Sequence, residues 1–453
     1  MKRLMIILLL VNASLWGQAY TDARGVGLCG AYTVASRGIH AVGYNPANLG
    51  FTEDVKVSIN LAAMNLQAYN NFLSLSLFNQ YFTGDANGDP FPLENRKPGT
   101  TQTHKEYLLS QIPNEGVTLG LATSIPFPGL NASFGNYALT SGLDIYSRIL
   151  IPRGVFRLPL QGNPAYETFD FGMGLDMLFI SHFDFSFAIP FETFNMGITV
   201  KYLAGLGYAG VDSSGGGLTT EPEGLVVDGF YRVSRALGGN GFGLDVGMTT
   251  QRINNWQLGV SINNAIGFMH WGNDQNFINK NIRFIEAVLP IRKYLQIPTD
   301  TTVFGARTIY SYVGDTTNVV QLLAGDQLFS NEQEEQPTAD SIRMNYPAVV
   351  RVGAAWYLPE DLTLYADLST GLDDYYYASR KWRLAVATEW NRFKRFPIRS
   401  GMAFGGYYGR EASLGTGFRL LWIDANLSVR FLGGMSLTKA EGIEVGLGVT
   451  FLN

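Results

Sequence analysis

Four histidines, His40, His104, His182 and His270, are the side chains best suited to proton or metal chemistry, and they stand far apart in the chain. None falls in a spacing such as H-E-x-x-H, which sets two imidazoles on one helix face. Ser181 precedes His182, a pairing that a hydrolase at a membrane rim could use. Neighbours on a strand point to opposite faces, however, so the pair predicts no enzyme. Asp85, Asn87 and Asp89 alternate like the oxygen ligands of a calcium loop, but Pro90 stands where the turn glycine belongs and Arg96 where the closing carboxylate belongs. A polar turn and no metal are expected there. Gly25, Gly27 and Gly30, and again Gly205, Gly207 and Gly210, fit G-x-G-x-x-G. Neither set lies between a strand and a helix, so no dinucleotide is expected, and nothing else in the chain points to an organic cofactor. The acidic run at Glu332, Glu334 and Glu335 reads as a solvated loop.

With chemistry so sparse, the elements carry the reading. Lys2 and Arg3, the apolar run Leu4 to Val11 and the small residues before Tyr20 form a signal peptide over residues 1–19, which predicts export. Only 16% of residues are charged, against roughly 25% in an average soluble protein. The chain also has 52 Gly, 29 Phe, 23 Tyr and 7 Trp, suited to tight turns, crowded barrel interiors and membrane interfaces. The net charge of −5 speaks against a nucleic-acid partner. Cys29 is the single cysteine, so no internal disulfide can form, and a packed thiol is expected.

Past the leader no apolar stretch reaches the roughly 20 residues a spanning helix needs, whereas strict two-residue alternation recurs along the chain. Val350, Val352, Ala354 and Trp356 alternate with Arg351, Gly353 and Tyr357. Ile423, Ala425, Leu427, Val429 and Phe431 alternate with Asp424, Asn426, Ser428 and Arg430. Such a pattern also fits a soluble sheet with one wet face. Here charged residues recur on one face and lipid-compatible ones on the other, and lipid forbids an open edge, so an all-β, closed antiparallel transmembrane β-barrel is predicted. Trp256, Trp271, Trp356, Trp382, Trp390 and Trp422 stand near the ends of runs and are expected in interface girdles. Long loops are expected near 84–104, 212–224 and 272–343. The last includes a short helix over 276–288 and is too long to be structureless, so it should carry strands or form a lid or plug.

Between the leader and the first run, Gly30 to Phe51 is rich in small residues and closes on Asn45, Pro46 and Ala47. So little alternation makes a poor strand, but small side chains permit compact folding inside a lumen, with Pro46 fixing a turn. This lead-in resembles the N-terminal hatch of the FadL family of outer-membrane transporters and of its PorV-like relatives. Gly241 to Gly247, Trp256 to Asn264 and Tyr346 to Gly353 resemble barrel strands of the PorV-like branch. The resemblance implies a barrel of about 14 strands over residues 51–453, a hatch over 20–50 plugging its lumen, both termini in the periplasm of a Gram-negative cell, and passage of hydrophobic molecules such as fatty acids. In the PorV-like branch it implies instead a barrel that does not transport and serves secretion or surface attachment of proteins. Asp245, Arg351, Asp367 and Arg430, on the polar face of their strands, are expected to form a lumen network holding the hatch. The expected partners are outer-membrane lipid, hydrophobic small molecules or secreted proteins, and the barrel-assembly machinery, whose terminal-aromatic signal Phe451 resembles.

Overall fold

The computed structural model describes residues 22–83, 92–222, 224–271, 306–314, 331–334, 342–374 and 378–453. The signal peptide, the calcium-like triplet and the helix expected over 276–288 lie outside them.

Nineteen hydrogen-bonded segments join in one antiparallel sheet, and they make a closed barrel of 14 strands. In chain order these are β1 (Val57–Asn70), β2 (Val117–Pro126, continued by Ala132–Phe134), β3 (Tyr137–Ile151), β4 (Gly174–Pro190, preceded by Thr168–Asp170), β5 (Phe194–Glu221), β6 (Gly224–Thr250) and β7 (Trp256–Trp271). There follow β8 (Val349–Leu358, preceded by Ile342–Asn345), β9 (Leu362–Gly371), β10 (Arg383–Trp390), β11 (Ile398–Gly405), β12 (Gly409–Leu420), β13 (Ile423–Leu432) and β14 (Gly442–Leu452). Closure comes from β1 against β14, in register from Ser58 opposite Leu452 to Tyr69 opposite Gly442, with one bulge between Asn60 and Ala62. Among the described residues this closure leaves the barrel wall no free rim, which is the condition lipid imposes.

Alternation decides which side chains face out. Val352, Trp356, Leu364, Leu368, Leu384, Val386, Met402, Phe404, Leu414, Leu427 and Leu447 are exposed on the outer wall, while Arg351, Asp367, Glu389, Arg399, Glu411, Arg430 and Glu444 are buried inside it. No helix among the described residues is long and apolar enough to cross a membrane. Trp256 stacks on Trp356 with centroids 5.2 Å apart, and Trp382 and Trp422 are likewise exposed at strand ends. Trp271 departs from the expected girdle. It ends β7 but points inward and is fully buried, its indole N–H facing the Met344 sulfur at 3.2 Å.

The two ends of the barrel differ. Connections at one end are short, as at 191–193, 251–255 and 359–361, whereas at the other the β1–β2 and β3–β4 connections carry helices α1 to α3 (Leu75–Tyr81, His104–Gln111 and Arg153–Gln161), although the β11–β12 turn there spans only 406–408. The loop expected over 212–224 is not a loop. It lies in β5 and β6, which pair from Phe194 opposite Thr250 up to Glu221 opposite Gly224. At 28 and 27 residues these strands far exceed the roughly 9–11 that cross a bilayer. Their tall upper part meets no oil, so its sequence lacks the alternation that would have marked it as strand. The segment 272–343 carries strands of its own: Ala306–Gly314 pairs with β6, and Asn331–Glu334 pairs in turn with it, so Glu332 and Glu334 stand on a strand and not in a loop.

Candidate functional site: a plugged lumen

The segment Asp22 to Phe51 crosses the lumen at the short-turn end as three brief turns: a helix at Ala23–Gly27 and 3-10 turns at Gly38–Ala41 and Pro46–Gly50. Asp22 caps the first, its Oδ1 accepting from the Gly25 N–H at 2.9 Å. Asn45 caps the third, accepting from the Ala47 N–H at 3.1 Å, and Pro46 supplies its pre-set φ at the first turn. Almost every side chain from Ala23 to Leu49 is buried.

Small residues let this segment touch the wall backbone on several sides. A Cβ added to Gly197 of β5 would collide with Pro46 and Ala47, and one on Gly247 of β6 with Asn45. On the opposite side, Gly401 leaves room for Cys29, Gly415 for Gly27 and Gly446 for Ala23. The Asn-Pro-Ala element therefore sits in a recess that inward glycines create. Its amide completes the seat: Asn45 Nδ2 donates to Thr249 Oγ1 at 2.7 Å, and Thr249 Oγ1 donates to Asn48 Oδ1 at 2.8 Å. Ser261 Oγ donates to the Tyr44 carbonyl at 2.7 Å.

The four polar residues picked out by alternation are all buried on the inner face, but they belong to separate groups. Asp367 holds the plug directly, its Oδ2 accepting from the Tyr32 and Thr33 N–H groups at 3.0 and 2.9 Å. Arg351 donates to Asn263 Oδ1 at 3.1 Å and places its guanidinium 5.3 Å from the centre of the Tyr44 ring. Asp245 bonds to the wall, pairing with Lys201 at 2.8 Å and accepting from the Asn264 N–H at 2.7 Å, where β7 bulges. Arg430 donates from Nε to Glu444 at 2.5 Å and approaches Glu411 at 3.4 Å.

Several holding residues escape a reading confined to the cleanest runs. Glu389 takes two hydrogen bonds from Arg24 of the plug, at 3.1 and 2.6 Å, and one from Arg399 at 2.8 Å. Arg383 pairs with Glu411 and donates to the Cys29 carbonyl at 2.7 Å. The signal was present: Glu389, Arg399 and Glu411 are charges in the inward phase of otherwise apolar or small-residue strands.

Above the plug, towards the long loops, the inner wall of β4 to β8 turns apolar. Leu178, Ile180, Leu203, Tyr208, Met269, Trp271, Met344 and Tyr346 form one buried cluster. Beneath it His182 lies between two carboxylates, 2.8 Å from Asp184 and 3.8 Å from Asp144. A cavity of about 20 Å³ separates this group from Val42 and Gly43 of the plug, room for about one water. Among the described residues no hydrogen bond joins Ser181 to His182, and no three His, Cys, Asp or Glu side chains are placed to hold a metal ion. The plug and the packed apolar cluster above it thus close this part of the lumen, apart from the small cavity between them.

Residues 46–427 match the profile of a family of unknown function, DUF5723. The chain belongs to that family. The match to DUF5723 begins at Pro46, inside the Asn-Pro-Ala element, and runs through β1 to β13. None of the curated proteins matches. Among solved structures, a Pseudomonas aeruginosa FadL homologue superposes with a TM-score of 0.52 at 13% identity, over 97% of this chain and 99% of the other. A mutant of the monoaromatic hydrocarbon channel TodX, a protein of Pseudomonas putida, gives 0.50 at 12% identity over 97% and 99%. The Ralstonia pickettii toluene transporter TbuX gives 0.49 at 10% over 98% and 99%. At these identities the FadL homologue shows that this member of DUF5723 has the FadL fold.

Proposed function

We propose that this protein is an outer-membrane channel that admits small hydrophobic compounds through its lumen. One observation carries the reading: the buried apolar cluster around Trp271, Leu203 and Met344 lines the inside of a closed barrel directly above the plug. An inner wall built only to hold water would be polar throughout. Short connections mark the periplasmic end by the usual asymmetry of such barrels, and the long loops then face outward. TodX is described as a monoaromatic hydrocarbon channel, and the rings and thioethers of this cluster offer surfaces for guests of that kind. The test is uptake by proteoliposomes. A toluene-like tracer should enter faster than into empty vesicles, a sugar of similar mass should not, and Leu203→Glu should abolish the difference. Equal entry of tracer into protein-free vesicles would refute the reading.

A second reading, a barrel that does not transport and presents a docking surface for secreted proteins, is favoured by the height of the β5–β6 hairpin and its widening by Ala306–Gly314. Copurification of secreted proteins that is lost when residues 212–220 are deleted would support it.

A further inference from the structure

One cavity lies on the outside of the barrel wall. On β14, Gly446 faces the plug, where an added Cβ would meet Ala23, and Glu444 is buried in the same inward phase. Ile443 is therefore outward, and register sets Ala68 of β1 opposite it. Gln67 and Asn65 are buried opposite Ala122 and Ser124, so Leu119 of β2 is outward as well, and Ile149 of β3 pairs with Leu119. A groove of about 400 Å³ runs over this patch, lined by Ala68, Leu119, Ile149 and Ile443, with Leu73 and Glu441 from the adjoining connections. Side-chain size makes the indentation: Ala68 presents one methyl where Leu66, Leu119 and Ile443, in the same outward phase, present branched chains. We propose that this groove seats one acyl chain of a zwitterionic phospholipid, held as a fixed part of the wall.

Position, surroundings and charge select that occupant. The groove is continuous with the exposed Leu66 and Leu447 of the outer belt, on the same two strands, so a chain of the bilayer reaches it without leaving oil. Left empty, such a notch forfeits dispersion contacts along its whole lining. The surface beyond it is that of a membrane interface. Residues 71–84 contain no charged side chain. On α1, Leu75 and Phe78 are exposed, and Phe82 stacks on Phe78 with centroids 5.9 Å apart. The Ser76 N–H donates to the Thr438 carbonyl at 2.8 Å, which ties α1 to the turn that exposes Met435 and Leu437. Rings and aliphatic chains at such a height suit the boundary between headgroups and acyl chains. Glu441 is the only acidic side chain in the lining, which holds no basic one, and its carboxyl accepts from the Tyr69 hydroxyl. A carboxylate at this end of the groove attracts a headgroup ammonium and repels a headgroup of net negative charge.

The experiment titrates the purified full chain, in non-ionic detergent, with phosphatidylethanolamine that carries a diazirine in one acyl chain, followed by illumination and peptide mapping. Label should reach Ala68, Leu119 and Ile443 saturably, while outward residues such as Leu364 and Leu427 label in proportion to the probe. Unlabelled phosphatidylethanolamine should compete better than phosphatidylglycerol of the same chains, and Glu441→Gln should bring the two to parity. Ala68→Trp fills the groove and should weaken the saturable labelling by about tenfold, with intact folding checked by heat-modifiable migration in gels. Leu119→Ala, which removes a side wall and adds no bulk, should weaken it as well. Labelling of the groove that never saturates, or that is unchanged in folded Ala68→Trp, would overturn the proposal by making this patch ordinary belt. Equal competition by the two lipids in the unmodified protein would also overturn it, and so would chain-to-chain crosslinks through these residues in place of lipid label, which would assign the face to a second copy. Because the groove lies outside the lumen, failure here leaves the uptake reading standing, and failure of uptake leaves this site standing.

Discussion

Gly247 and Glu389 show how much of the plug's hold rests on single residues. Gly247→Val puts methyl groups where Asn45 Oδ1 sits, so the plug must shift. Cys29 reports that shift: burial, with Glu411 beside it, pushes its thiol up to about 11, and a protonated, enclosed thiol reacts slowly. A maleimide should label the unmodified protein only after unfolding, and Gly247→Val under native conditions. Equal labelling of both would show that the recess does not seat the plug. Glu389→Gln strips two guanidiniums of their shared carboxylate, a loss on the order of 3–5 kcal/mol for a buried pair, and denaturant unfolding should read it. Asp367 and Arg351 were legible as plug contacts because a charge in the inward phase of a strand has nowhere else to go. Asp245 and Arg430 obey the same rule, yet they face Lys201 and Glu444, since alternation gives the face and not the partner.

At the scale of elements, strands inside the bilayer are readable and those beyond it are not. β8, β9, β13 and β14 alternate because one side meets oil, whereas the upper halves of β5 and β6 extend beyond it and bury Leu218 and Val227 against Phe169, with Leu158 packed on them, a cluster too small to set a long alternating run. Trp271 was misplaced for a related reason: an aromatic at a strand end suits a girdle or a packed lumen, and the phase of β7 decides. The plug was visible in its small residues, but its seat is written in the wall, as glycines spaced along non-adjacent segments that no local reading connects. Loops respond to pH through their own buried groups. Glu441, ahead of β14, is pushed up from its ordinary 4.5 to about 7 by burial, with the Tyr69 hydroxyl acting against the rise. The folded chain therefore keeps this proton to a higher pH than the unfolded chain. The associated stability is full below about pH 4.5, declines as pH rises through about 7, and is absent above that. The thermal midpoint of the unmodified protein should fall more between about pH 4.5 and about pH 8 than that of Glu441→Gln; parallel profiles would contradict this.

The whole molecule combines a wall that satisfies its own backbone, a polar floor that pins a plug, and a packed apolar cluster above it. The wall follows from what lipid forbids, and the plug from what a lumen permits. The apolar cluster was not foreseen, because its residues lie where both faces of their strands are apolar and so lack the contrast that alternation needs. The most direct test is photolabelling of the protein in liposomes with a small diazirine-bearing hydrocarbon, followed by peptide mapping. Competition by unlabelled toluene should protect Leu203, Met269 and Met344 on the inner wall while outward residues such as Leu364 and Leu427 label non-saturably. Labelling confined to the outer belt, with the inner cluster untouched at any concentration, would contradict the account.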